Sequence, residues 1–206
     1  MCGKFVLRSD WKNIAGEFDL EDTNQIIVPA GDIYPGSDAA CIIRNNRDNL
    51  GVILCWGFFP QWAKQKSRGN LVINARAETL AQKPAFRDAF QKRRCLIAAD
   101  GFYEWSKEKS QFYFYLQNKK PFGLAGIYEP AIIPGNAKSS FVIITTSPNE
   151  LIAPVHDRMP VIIPADKQSL WLDDSKYNIN ELKPLFDPYP ASEMTMNLAK
   201  FSASHI

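Results

Sequence analysis

No apolar run in this sequence approaches the roughly 20 residues that a membrane-spanning helix needs. The N-terminal residues also lack the charged and then apolar pattern of a secretory leader. We therefore expect no contact with a membrane and a cytoplasmic location. Internal repeats and low-complexity linkers are missing too, and 206 residues with 46% hydrophobic content can build one sizeable core. We expect residues 1–206 to form a single domain and, as the simplest arrangement, a monomer.

Cysteine, histidine and excess charge are scarce. The four cysteines, at positions 2, 41, 55 and 95, form no CxxC pair, and only two histidines accompany them. This pattern disfavours a structural zinc site and favours reduced thiols, so we expect no metal and no cofactor. The net charge of +2 and the isoelectric point of about 8.3 are too mild to indicate nucleic-acid binding, but they permit a local basic groove.

Short strands dominate the pattern. Helical spacing is confined to a few segments, among them residues 9–18 and 84–93. The predicted strands include residues 39–44, 50–58, 71–73, 111–117 and 121–128. We expect the first two of these to pair as a hairpin and the last two to pair antiparallel. Seven or more short strands with few helices predict an α+β fold whose core is a curled, largely antiparallel, barrel-like sheet.

Cys2 directly follows the initiator Met1. If Met1 is removed, Cys2 carries a free α-amine beside its thiol, and this pair can condense with an aldehyde to an imine and then a thiazolidine ring. The two groups titrate at about 7.7–8.0 and about 8.5, so we expect a useful nucleophilic fraction at pH 7. The alternative is an incidental cysteine in a disordered or trimmed tail. Residues 3–7 argue against it, because they form a short apolar strand that would fix the terminus.

Polar side chains interrupt or end four otherwise apolar stretches, which is where sites are usually built. These residues are Asn74 and Arg76, Glu104, Thr145 and Thr146, and His156, Asp157 and Arg158. Glu104 is either a surface glutamate or, desolvated by its aromatic neighbours, an acid with a raised pKa suited to proton transfer. His156 is either a packing residue or a proton carrier.

Three more side chains have two explanations each. Arg76 and Arg158 are either solvated charges or planar forks for phosphate oxygens. Trp62, in a basic and turn-rich segment, either covers a satellite core or offers a stacking platform for a base. The residues alone leave these alternatives open.

Five motifs together resemble the SOS response-associated peptidase (SRAP) family, whose best-known members are abasic-site processing proteins. The resemblance runs from residue 2 to about residue 170, and the order and spacing of the motifs make it specific. The motifs are Met1-Cys2-Gly3, Trp56-Gly57-Phe58-Phe59-Pro60-Gln61-Trp62, Asn74-Ala75-Arg76-Ala77-Glu78-Thr79, Gly101-Phe102-Tyr103-Glu104-Trp105 and His156-Asp157-Arg158-Met159-Pro160.

The resemblance implies a single α+β domain with a barrel-like core that binds single-stranded DNA during the response to DNA damage. It also implies a covalent cross-link, with lyase-like imine chemistry, between Cys2 and the open-chain aldehyde of an abasic site. The residues that match the other active-site positions of the family are Asn74, Glu104 and His156. The residues that match its DNA contacts are Lys4, Pro35, Trp62, Arg76 and Arg158. Lys4 replaces an arginine of many members, and Pro35 lies in a stretch that matches only loosely.

Three other functions fit parts of this pattern. Chains that begin Met-Cys-Gly also occur among N-terminal-nucleophile amidohydrolases, in which the exposed thiol attacks an amide. A non-catalytic module for single-stranded DNA would bind reversibly and with strong salt dependence. The family name also implies a hydrolase or protease that acts on other proteins, although the sequence supports only self-removal of Met1.

Overall fold

The computed structural model describes residues 2–21, 26–27, 29–58, 71–131, 138–175 and 177–199. The strands in these ranges are β1 (Phe5–Leu7), β2 (Gly31–Ile33), β3 (Asp38–Asn45), β4 (Asp48–Trp56), β5 (Asn74–Arg76), β6 (Arg94–Ala99), β7 (Gly101–Trp105), β8 (Gln111–Leu116), β9 (Phe122–Glu129), β10 (Ser140–Thr146), β11 (Met159–Pro160), β12 (Ile162–Ile163) and β13 (Met194–Leu198). The α-helices are α1 (Trp11–Phe18), α2 (Pro84–Lys92), α3 (Gln168–Leu172) and α4 (Ile179–Leu182). No helix in this part of the chain is both long and apolar enough to cross a membrane.

One sheet closes into a ring. Its strands follow the order β10-β4-β3-β6-β9, and β9 pairs again with β10. Strands β4 and β5 run parallel to β10, whereas all the other described pairs are antiparallel. The predicted α+β class with a curled, barrel-like core is therefore confirmed.

Burial on both faces marks the centre of the barrel. Every residue of β6 and of β10 is buried. Such strands consist of continuous apolar runs, because one face lines the barrel and the other is covered. Helices α2 and α3 supply part of that cover by packing on β6.

Arg94 ties those two helices to the sheet. Its buried guanidinium donates hydrogen bonds to the carbonyls of Phe90 (2.9 Å) and Gln91 (3.0 Å), near the end of α2. It also donates to the carbonyls of Trp171 (2.7 Å) and Asp173, at the end of α3. Helix C-termini leave carbonyls without intrahelical partners, so one cation satisfies both ends at once.

The second sheet holds the N-terminal strand. Its order is β13-β8-β7-β1-β2, so β1 lies between two neighbours and is buried at all three positions. The predicted strand within residues 3–7 is confirmed. The predicted hairpin is also confirmed, because β3 and β4 pair along their whole length around a tight turn in which Asn46 has a positive φ.

Two strand predictions are wrong. The antiparallel pairing of residues 111–117 with 121–128 does not occur, because β8 pairs with β7 and β13 while β9 belongs to the ring. The half-exposed aromatics of β8 suit the open sheet, and Gly123 and Gly126 of β9 suit the tightly packed barrel. The strand predicted at residues 71–73 instead begins at Asn74, since β5 pairs with β10 and residues 71–73 form only one bridge, between Val72 and Phe58.

Replacing Gly126 by alanine tests the packing of the ring. A Cβ at this position would lie 2.4 Å from Ile97 Cδ1 and 3.1 Å from the backbone oxygen of Val142. We expect Gly126→Ala to lower the free energy of unfolding by about 1–3 kcal/mol in urea denaturation. Gly16→Ala is the matched control, because nothing lies within 4 Å of its new Cβ. In helix α1 this change should stabilise by about 0.5–1 kcal/mol, and shifts of the same sign in both variants would contradict the described packing.

Candidate active site

The register of β1 against β7 sets the position of Cys2. Phe5 pairs with Phe102, and the amide of Tyr103 donates to the carbonyl of Lys4 at 2.9 Å. Continuing this antiparallel register brings the segment before Lys4 alongside Glu104. Cys2 is fully buried at 0% exposure and belongs to the hydrophobic core. The alternative of a disordered tail is therefore wrong.

Asn74 fastens this segment to the barrel. Its Nδ2 donates a hydrogen bond of 2.9 Å to the carbonyl of Cys2. Asn74 lies at the start of β5, opposite Ile143 of β10, so the bond joins the two sheets. Because Nδ2 must be the donor, the amide orientation is settled and Oδ1 points elsewhere. Oδ1 is buried and has no hydrogen-bond partner among the described residues.

Glu104 is a buried acid rather than a surface glutamate. Glu104 lies in β7 and is only 1% exposed. Burial raises the pKa of its carboxyl to about 7, and the negative charge of Asp157 adds to this effect. At neutral pH the site therefore contains both the protonated and the ionised form of this side chain.

His156 faces Glu104. Its Nε2 lies 3.9 Å from Glu104 Oε2. The backbone amide of Arg158 donates to His156 Nδ1 at 3.0 Å, which makes Nδ1 an acceptor and leaves the proton of the neutral ring on Nε2. Asp157 Oδ1 at 3.1 Å and the carbonyl oxygen of Arg158 at 3.3 Å also lie near Nδ1 and would favour a proton there. A backbone amide always keeps its hydrogen, however, so we assign the Nε2 tautomer. Burial lowers the pKa of His156, which favours this neutral ring.

The Cys2 thiol is not activated by these surroundings. Burial raises its pKa well above the ordinary value, and the charge of Glu104 raises it further. The thiol instead donates a weak hydrogen bond to the carbonyl of Lys4, with a sulfur–oxygen distance of 3.8 Å. For the thiol, this disagrees with the expected nucleophilic fraction at pH 7, because the strand that anchors the terminus also removes the thiol from water.

The two arginines matched to DNA contacts differ in their surroundings. Arg76 is exposed at the end of β5. Arg158 is mostly covered and forms a two-point ion pair with Glu78 at 2.5 and 3.0 Å. Its Nη2 also donates to the carbonyl of Thr145 at 2.5 Å. The sequence analysis did not single out Glu78, although its position two residues after Arg76 was a usable signal.

Lys4 is also paired within the protein. Its Nζ lies 2.8 Å from Asp32 Oδ2 and 4.1 Å from the centre of the Tyr103 ring. The residue is 8% exposed. Asp32, which sequence analysis did not assign to the site, thus links β1 to β2 through side chains as well as through the backbone.

Pro35 and Trp62 complete the predicted DNA contacts. Pro35 is half-buried in a turn closed by a 3.0 Å bond from the amide of Ser37 to the carbonyl of Tyr34. Gly36 takes the positive φ that this turn requires. Trp62 lies outside the described residues. In the rest of the chain as described, no group of three or more His, Cys, Asp or Glu side chains could hold a metal ion.

Known proteins are similar to this chain in sequence and in fold. The abasic site processing protein YoqW of Bacillus subtilis strain 168 is 38% identical over 205 residues, covering 94% of this chain and 90% of YoqW. YoaM of the same organism, also described as an abasic site processing protein, is 38% identical over 201 residues, covering 94% of this chain and 88% of YoaM. A crystal structure of a protein from Bacteroides thetaiotaomicron superposes with a TM-score of 0.84 at 24% identity, covering 97% of this chain and 93% of that chain, which indicates a shared fold.

The family match spans almost the whole sequence. The profile of the family described as SOS response associated peptidase (SRAP) matches residues 1–200. The length of this match and the 38% identity to YoqW support the same assignment: the chain belongs to the SRAP family.

Proposed function

We propose that this protein processes abasic sites in single-stranded DNA by forming a covalent thiazolidine cross-link through Cys2, after removal of Met1 by an aminopeptidase or by the site itself. Membership of the SRAP family and similarity to the abasic site processing proteins YoqW and YoaM support the substrate class. The observation that carries the chemistry is the meeting of four side chains from distant segments. Asn74 holds Cys2 at 2.9 Å, Glu104 lies near the Cys2 thiol, and His156 lies 3.9 Å from Glu104.

The amine acts first. The α-amine of Cys2 attacks C1′ of the ring-opened sugar, forming a C–N bond and a carbinolamine. The hydroxyl then departs as water and leaves an imine. Because the thiol is held protonated by burial, it is the weaker nucleophile at this stage, which sets the order of the two bonds. Asn74 supports this step by fixing the Cys2 carbonyl, and its second polar atom, Oδ1, offers an acceptor for the amine or a sugar hydroxyl.

Glu104 supplies the proton for dehydration. Its raised pKa of about 7 lets the acid form donate to the departing hydroxyl at neutral pH. Dehydration leaves the imine protonated on nitrogen, and the resulting carboxylate accepts the thiol proton as sulfur adds to the imine carbon. This restores the acid form of Glu104, and the ring nitrogen keeps the hydrogen that it already carries. The overall change is aldehyde plus aminothiol to thiazolidine plus one water. The neutral His156, with its Nε2 proton toward Glu104, exchanges protons between the carboxyl and the sugar.

The DNA strand would run along the surface that carries Arg76 and Arg158, with Pro35 beside the lesion. Lys4 adds a positive charge to this surface, but its ion pair with Asp32 offsets that charge. The buried, protonated thiol argues against the amidohydrolase alternative, because that mechanism needs a reactive thiol from the start. It also argues against a general thiol protease.

Replacing the Cys2 thiol separates the two bonds. Cys2→Ala keeps the amine but cannot close the ring, so its abasic-DNA adduct should not survive denaturing electrophoresis. Borohydride should restore a stable band by reducing the imine. Cys55→Ala is the control, because this half-buried cysteine lies on β4, and it should cross-link like the unmodified protein. A stable adduct of Cys2→Ala without borohydride would contradict the proposal.

Replacing the acid should change the pH profile. Glu104→Gln keeps the shape of the side chain but cannot donate a proton, so imine formation should slow by about 10²-fold or more. In the unmodified protein the rate should fall as pH rises above about 7, because the acid form disappears. The variant should lose that fall. Single-turnover rates between pH 5.5 and 9 measure both effects, and an unchanged rate would remove Glu104 from this role.

The same variant should be more stable in alkali. The folded state binds the Glu104 proton more tightly than the unfolded chain, so folding loses stability as pH rises from about 4.5 to about 7. Glu104→Gln escapes this loss. Its free energy of unfolding should exceed that of the unmodified protein by roughly 1–3 kcal/mol at pH 8, with the advantage shrinking toward pH 4. Urea unfolding at both pH values measures it, and a variant less stable at pH 8 would contradict the described burial.

A further inference from the structure

Arg158 already has an anion on its guanidinium. Both carboxylate oxygens of Glu78 bind it, Oε1 to Nη1 at 2.5 Å and Oε2 to Nη2 at 3.0 Å. This is the paired geometry with which a guanidinium also binds two oxygens of a phosphate. Glu78 lies in a 3-10 turn, Ala77–Thr79, directly after β5. The carboxylate therefore occupies the kind of place that a phosphate of the DNA backbone would take.

The rest of the guanidinium offers no second place for an anion. Its Nε is buried and has no hydrogen-bond partner among the described residues, and Nη2 also donates to the carbonyl of Thr145. The side chain of Arg158 is 13% exposed, whereas that of Glu78 is 52% exposed. A phosphate from solvent can thus reach the Nη end only where Glu78 now lies.

Glu78 also lies within the field of the second arginine. The hydrogen bonds from Arg158 lower the pKa of the Glu78 carboxyl, and the charge of Arg76 lowers it further. Because Arg158 and Arg76 both stabilise its negative charge, the Glu78 carboxylate stays ionised throughout the neutral pH range. The same two arginines are the groups that a phosphate of the DNA backbone would bind.

We propose that Glu78 is an internal substitute for a DNA phosphate, which the incoming strand must displace from Arg158. The proposal rests on the proposed function and refines it. Glu78 sets the strength of the reversible step, because its competition weakens binding to every strand alike. Undamaged DNA then dissociates readily, while an abasic site is retained by the covalent bond. Exchange is feasible because a partly exposed ion pair is worth little in water.

The exchange has a distinct salt signature. When a phosphate replaces Glu78, the freed carboxylate stays beside the bound strand and cancels one positive charge of the protein surface, so this contact adds almost no salt dependence. Without the carboxylate the same contact releases a counterion, and the slope of log K against log salt should steepen by about 0.7. A purely structural role for Glu78 would not change this slope in that direction.

Binding of undamaged single-stranded oligonucleotide tests the exchange, measured by fluorescence anisotropy between 50 and 300 mM salt on the full chain. The Cys2→Ala background removes the covalent step. Glu78→Gln is compared with Asp187→Asn, because Asp187 is an exposed residue that lines the same surface pocket as Glu78 and its replacement removes an equal charge. We expect Glu78→Gln to tighten binding at low salt roughly 2- to 5-fold more than Asp187→Asn, and to steepen the slope. In an Arg158→Gln background the two changes should have equal effects.

The outcomes separate the two levels of the proposal. Weaker binding by Glu78→Gln, or a gain and slope equal to those of Asp187→Asn, would overturn the role of Glu78 while leaving the cross-linking function intact. Failure of the Cys2→Ala protein to bind single-stranded DNA under any condition would instead count against the proposed function. Thermal unfolding of each variant, with Glu78→Ala as a second substitution, shows whether a loss of binding comes from loss of the fold.

Discussion

The pairing of β1 between β2 and β7 is the constraint on which the site depends. A chain terminus is usually poorly ordered, but here three consecutive residues pair with β2, two of them also pair with β7, and Lys4 adds an ion pair to Asp32. This fixes the segment that carries Cys2 within hydrogen-bond reach of Asn74. In the proposed function, this fixed position would hold the Cys2 amine ready for the aldehyde of a bound abasic site.

Burial also sets the protonation states of the groups in the site. The same dry surroundings raise the pKa values of the Cys2 thiol and the Glu104 carboxyl and lower that of His156. Each shift favours the neutral form, as desolvation predicts. The result is a site whose side chains are shifted toward their uncharged forms. Charge is concentrated instead at its border, where Arg76, Arg158 and Glu78 meet.

Sequence patterns predicted much of this arrangement. Alternation and turn chemistry were sufficient for β1, the β3–β4 hairpin and the barrel-like core, because these depend on local periodicity. The pairing of β8 was not predictable in the same way, since two neighbouring aromatic strands fit a hairpin equally well whether or not they belong to one sheet. The motifs named Asn74, Glu104 and His156, but periodicity cannot reveal the Glu78–Arg158 pair or the raised pKa of the thiol. Both arise from contacts between residues about 50 to 100 positions apart.

The order of the strands along the chain has a consequence for synthesis. Phe5 pairs with Phe102, so β1 has no partner on that side until about a hundred further residues have been made. A ribosome adding about 5–20 residues per second needs roughly 5–20 seconds for that length. During this interval the segment around Cys2 stays open to enzymes that act on nascent chains, and only afterwards does folding enclose it.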